Sequence, residues 1–67
     1  MRHQNRIKKL LNERGSTQTW LARKIGVSVN TLHGYANNRT QPPLDVALKI
    51  ANALNVTIEE LIEIKKN

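Results

Sequence analysis

The chain has 67 residues, no cysteine, and eleven Lys or Arg against five Asp or Glu, for a formal net charge of +6. A single domain over residues 1–67 is expected, held by its apolar core alone, since neither disulfides nor thiolate metal sites are available and His3 and His33 stand far apart. No acid–base pair, nucleophile constellation or phosphate-cradling Gly-rich loop can be assembled, so the expectation is a non-enzyme without cofactor or metal. The lack of an apolar run of about 18 residues and of a signal peptide points to the cytoplasm.

Taken in order, the hydrophobic spacing predicts five helices and no strand. Ile7, Leu10 and Leu11 define the buried stripe of a first helix over about 4–14, stopped by Gly15. Thr17 is the N-cap of a second helix that runs to Ile25, and Ser28 is the N-cap of a third over about 29–36. Residues 37–43 (NNRTQPP) form a polar, proline-closed loop, too short to link domains. Leu44, Ala47, Leu48, Ala51 and Leu54 mark the apolar face of a fourth helix, with Pro43 fixing φ at its start. Asn55 suits the left-handed residue of a helix stop, and Thr57 with Glu60 makes a capping box that opens a fifth helix carrying Leu61, Ile58 and Ile62. The fold class that follows is all-α, a compact bundle of five short helices.

Within that order the stretch QTWLARKIGVSVNTLHGYAN, residues 18–37, is the most informative. Leu21 and Ile25 share one helix face, Ala22 leaves room for a second helix to cross closely, and Gly26 permits a left-handed stop. Val27 plugs the corner, and Leu32 and Tyr35 form the inner face of the next helix. This is the spacing of a helix-turn-helix, which presents its second helix to the major groove of DNA. Charge is distributed to match: residues 1–40 carry eight bases and one acid (+7), whereas residues 41–67 carry three bases and four acids (−1). One positive half beside a near-neutral half suits a molecule with one face on a polyanion.

Thr17–Gln18, Leu21–Ala22, Ile25–Gly26–Val27–Ser28, Thr31–Leu32, Asn37, Pro42 and the apolar positions from Leu44 to Leu61 together resemble the Cro and phage-repressor type of helix-turn-helix DNA-binding domain, also called the xenobiotic-response-element family. The resemblance implies a five-helix bundle that binds a pseudo-palindromic operator as a homodimer. By the same likeness the recognition helix, about 28–36, reads base edges through Ser28, Val29, Asn30 and Gly34, and Gln18 and Asn37 contact phosphates.

Side-chain chemistry grades these transfers. Asn30 carries a donor and an acceptor side by side, the arrangement that bonds adenine N6 and N7. Val29 can pack on a thymine methyl, Gly34 offers no side chain, and His33, one turn on, reaches either a phosphate or a purine N7 or is a plain surface residue. Arg39, Thr40 and Gln41 join Arg23 as candidate phosphate ligands. The chain also departs from the family pattern. Trp20 stands where a capping Glu is common and either covers apolar surface near the first helix or is an exposed contact. Leu11 and Ala36 replace an Arg–Glu pair, and Asn38 replaces a Gly.

For dimerisation, the family places its surface around the fourth-to-fifth helix junction, here Asn55, Val56, Ile58, Ile62 and Ile64. The function expected is a stand-alone transcriptional regulator, a repressor acting as a homodimer on a short inverted repeat of double-stranded DNA, with no membrane and no small-molecule effector involved. Two alternatives stand beside it. An antitoxin or restriction-modification controller of the same fold would use the same surface, and a protein-interaction module would use Trp20 and the C-terminal isoleucines.

Overall fold

The computed structural model describes residues 2–65, with side chains described for residues 4–63. In chain order the elements are β1 (Arg2–Asn5), α1 (Ile7–Arg14), α2 (Gln18–Ile25), α3 (Val29–Ala36), α4 (Leu44–Leu54), α5 (Ile58–Leu61) and β2 (Ile62–Lys65). The helical bundle is therefore the expected one, and its boundaries follow from local chemistry. Thr17 Oγ1 accepts from Trp20 N at 3.0 Å and Ser28 Oγ from Thr31 N at 3.0 Å, satisfying amides that α2 and α3 would otherwise leave unpaired. At α5, Thr57 Oγ1 accepts from Glu60 N at 3.1 Å while Glu60 Oε1 accepts from Thr57 N at 2.9 Å, a complete capping box.

The helix stops are equally legible. Gly26 ends α2 at φ 81°, with both Gly26 N and Val27 N donating to Ala22 O. α1, α3 and α4 each close with two reversed bonds around a left-handed residue: Gly15 at φ 71°, and Asn38 and Asn55 both at φ 58°. Asparagine tolerates that conformation better than other residues with a side chain.

Two differences from the expected elements have physical causes. Residues 2–5 do not extend α1 but form a strand antiparallel to β2, in the register Arg2 to Lys65, His3 to Ile64, Gln4 to Glu63 and Asn5 to Ile62. The strand ends where Asn5 Oδ1 accepts from Ile7 N at 3.1 Å and Arg6 N donates to Leu61 O at 2.8 Å, so helical bonding begins only at Ile7. Residues 62–65, with the alternating pattern IEIK, suit a strand once a partner is available.

The core holds Ile7 and Leu11 from α1, Leu21 and Ala22 from α2, Leu32 and Ala36 from α3, and Leu61 from α5. From α4 it takes Ala47, Ile50, Ala51 and Leu54, an i, i+3, i+4, i+7 stripe. Leu44 and Leu48, expected on that face, are instead 71% and 48% exposed, because Ile50 turns the stripe away from them. After α3 the chain folds back on itself: Arg39 N and Thr40 N donate to Gly34 O at 3.0 and 3.4 Å, and Thr40 lies over Gly34, which is buried. A Cβ at Gly34 would meet Thr40 Cγ2 at 3.5 Å, ordinary van der Waals separation.

Two stability outcomes follow. Leu61→Ala, emptying the fully buried site of the shortest helix, should lower the unfolding free energy by about 2–4 kcal/mol in urea titrations followed by circular dichroism, against less than about 0.5 kcal/mol for Thr19→Ala on the surface. Gly34→Ala should raise it by about 0.5–1 kcal/mol, since a helix-interior glycine has a Cβ site with space around it.

Candidate nucleic-acid interface

The face of α3 away from the core is set by the crossing of α2 over it. Ala22 and Leu32 have no exposed surface, so the two helices meet without a bulky spacer, and the residues on the far side of α3 stand out to solvent. Val29 is 43% exposed, and Ser28, Asn30, Thr31 and His33 are exposed with it. The Asn30 amide makes no hydrogen bond to any described residue, which leaves its donor and acceptor edge available. Ser28, besides capping α3, donates its hydroxyl to Thr31 Oγ1 at 2.8 Å, so its oxygen is committed at the helix start.

Gly34 does not belong with these residues. It was expected on the reading face, yet the returning loop covers it and its carbonyl is taken by the loop amides. The exposed face of α3 is therefore Val29, Asn30 and His33, flanked by Ser28 and Thr31.

His33 and Gln18 meet across the two helices, with Nδ1 of His33 2.9 Å from Oε1 of Gln18. A proton on Nδ1 makes the histidine the donor, leaving Nε2 and the Gln18 amide nitrogen on the outer surface. The two side chains thus brace one another at the junction of α2 and α3.

The phosphate candidates fall into separate groups. Arg39 and Thr40 are exposed on the loop, and Arg23 is exposed near the end of α2 with Lys24. Asn37, half-buried, turns back to donate from Nδ2 to His33 O at 3.0 Å, capping α3. The Gln41 amide is engaged internally: Oε1 accepts from Asn5 Nδ2 at 2.9 Å and Nε2 donates to Asn38 Oδ1 at 2.9 Å.

Sequence reasoning missed the groove beside this loop. Lys8, Lys9 and Asn12 of α1 line it together with Asn37 and Asn38, and Lys8 and Asn12 also border the recess that holds Ser16, Thr17 and Gln18. The groove takes in Arg6, Glu13 and Glu63 as well, so charges of both signs line it. The exposed Lys8–Lys9 pair was its one signal in the sequence, legible only once the position of α1 beside the loop is known.

Trp20, 36% exposed, lies between its two expected fates. The Arg14 guanidinium sits 5.7 Å from its ring centroid while Nη1 donates to Leu54 O at 2.9 Å, so one arginine caps α4 and covers the indole. Of the expected dimer residues, Asn55 is exposed, and Val56, Ile58 and Ile62 are half-buried against the core. The Ile64 side chain lies outside the described residues. Leu44, Ile58 and Ile62 share an apolar recess rimmed by Arg6, Glu59 and Glu63, with Arg6 Nε 3.6 Å from Glu63 Oε1. Among the described residues no group of His, Cys, Asp or Glu is placed to hold a metal ion, and no helix is long and apolar enough to cross a membrane.

Comparison with known proteins agrees with this geometry. The chain is similar to a candidate DNA-binding protein from Bacteroides fragilis whose crystal structure superposes with a TM-score of 0.88 at 42% identity, covering 92% of this chain and all of that one. A transcriptional regulator from Listeria innocua shares the fold with a TM-score of 0.83 at 21% identity, and this chain spans 65% of its length. No curated protein matches the chain significantly. Residues 7–61, from the first residue of α1 to the last of α5, match the helix-turn-helix family, and the chain belongs to it.

Proposed function

We propose that the protein is a sequence-specific regulator of transcription that binds double-stranded DNA, with α3 in the major groove. The observation that carries this reading is the exposed face of α3: Val29, Asn30 and His33 project from a helix whose opposite side is locked into the core, and the exposed bases Lys8, Lys9, Arg23 and Arg39 lie on α1, α2 and the loop that follows α3. These bases supply charge that fixes register on the phosphates, and Asn30 supplies a bidentate edge for adenine. The DNA-binding description of the 42%-identical Bacteroides fragilis protein supports the same reading.

The regulator acts as a homodimer on a short inverted repeat, and repression is the simplest output of a domain that occupies DNA in this way. Two recognition helices about 34 Å apart would read successive major grooves, which a single module cannot do. The exposed Leu44, continuous with Ile58 and Ile62 and rimmed by charges of both signs, supplies an apolar, self-complementary surface for the second copy.

Selection from random duplex DNA should return a short inverted repeat, and Asn30→Ala should weaken binding to it by about 1–3 kcal/mol while random duplex binds as before and the melting temperature is unchanged. Equal loss on both DNAs would remove Asn30 from base reading. Leu44→Glu should shift the protein to monomers in sedimentation velocity and convert operator binding to weak single-site binding. A variant that remains dimeric would move the interface elsewhere.

A further inference from the structure

The loop that carries Arg39 and Thr40 is anchored by an amide more than thirty positions away in sequence. Asn5, at the end of β1, is only 6% exposed, and its whole side chain is engaged. Oδ1 accepts from Ile7 N at 3.1 Å, and Nδ2 donates to Tyr35 O at 2.7 Å and to Gln41 Oε1 at 2.9 Å. Its main chain is bracketed by Asn38: Asn5 N donates to Asn38 Oδ1 at 2.8 Å, and Asn38 Nδ2 donates to Asn5 O at 3.3 Å. Gln41 Nε2 closes the triangle on Asn38 Oδ1 at 2.9 Å.

Local needs do not account for this arrangement. Starting α1 requires only an acceptor for Ile7 N, which a serine hydroxyl provides as well. The Nδ2 donor of Asn5 serves something else, the last turn of α3 and the loop beyond. Asn38 shows the same from the other side. At φ 58° a glycine would close the turn with less strain, but it has no amide to pair with Asn5.

We propose that Asn5, Asn38 and Gln41 form the positioning device of the DNA-backbone loop. The cluster fixes the direction in which Arg39, Thr40 and the loop amides leave α3, so DNA affinity depends on Asn5, a buried residue that does not itself meet DNA. The inference rests on the DNA-binding reading above.

The test uses the full chain with Asn5→Ser and Asn38→Gly. The first keeps a hydroxyl for Ile7 N but cannot span to Tyr35 and Gln41; the second keeps the left-handed turn and removes the tie. Both exchanges leave the charge of the chain unaltered, so a change in salt dependence reports a weaker grip of the loop on phosphates. Anisotropy titrations with a labelled duplex recovered by selection, and with a scrambled duplex of the same length, are run from low to high salt. Both variants should weaken both duplexes by about 5- to 10-fold and reduce the salt slope by about one, leaving the preference between duplexes intact. Circular dichroism at the assay temperature should show unchanged helix content. Unchanged affinity and slope in folded Asn38→Gly would overturn the proposal, as would a lost preference at constant slope, and Asn38→Gly decides alone if Asn5→Ser does not fold. Wild-type protein that binds neither duplex would overturn the DNA-binding reading itself, whereas wild-type binding matched by both variants overturns only the positioning role.

Discussion

The rest of the structure depends on the close crossing of α2 and α3 at Ala22. That residue has no exposed surface, and its carbonyl takes the amides of both Gly26 and Val27, so one alanine sets how near the helices approach and where the first of them stops. With the crossing fixed, Leu32 reaches the centre beside Leu21 and Ile50, and the orientation of α3 about its own axis is determined. Which side chains of α3 face outward is then a consequence of core packing. The outward residues are free to vary in chemistry without altering the scaffold, as expected where a rigid frame presents a variable surface.

Much of this was legible in the sequence because it is local. Thr17, Ser28 and Thr57 are caps whose partners lie three residues on, and Gly15, Gly26 and Asn55 stop helices through their own backbone preferences. What escaped is what depends on distant partners. The strand pairing of residues 2–5 with 62–65 joins the two ends of the described chain, and neither segment is long enough to declare itself alone. Leu44 and Leu48 continue the apolar period of α4 in the sequence, but the core takes Ile50 instead, which is fully buried while they are exposed. Gly34 is on the outer face by helical spacing, and only the return of residues 37–40 covers it. Asn5 gave no signal, since a polar residue near a terminus is ordinarily solvent-exposed.

The candidate site has the same two layers. Val29 and Asn30 were singled out through the family resemblance and His33 by its place one turn on, and all three stand exposed on α3. The contribution of α1 and the restraint on the loop come from tertiary structure. His33 belongs to both layers, exposed by its position in α3 and held by Gln18 from the neighbouring helix. The two halves of the chain differ in charge along a related division: α1, α2, α3 and the first residues of the loop fall within residues 1–40, and the near-neutral remainder includes α4 and α5.

The cluster of Asn5, Asn38 and Gln41 consists only of amides. Where relatives of the Cro and phage-repressor type often join the first and third helices through an Arg–Glu pair, this chain has Leu11 and Ala36 in the core and ties the end of α3 with uncharged groups. Amides neither titrate in the physiological range nor gather counterions, so these hydrogen bonds depend on no protonation state. In a molecule with a net charge of +6 that independence has a use. On the proposed function, the ions and protons of the medium modulate how strongly the surface attracts DNA without acting on these ties.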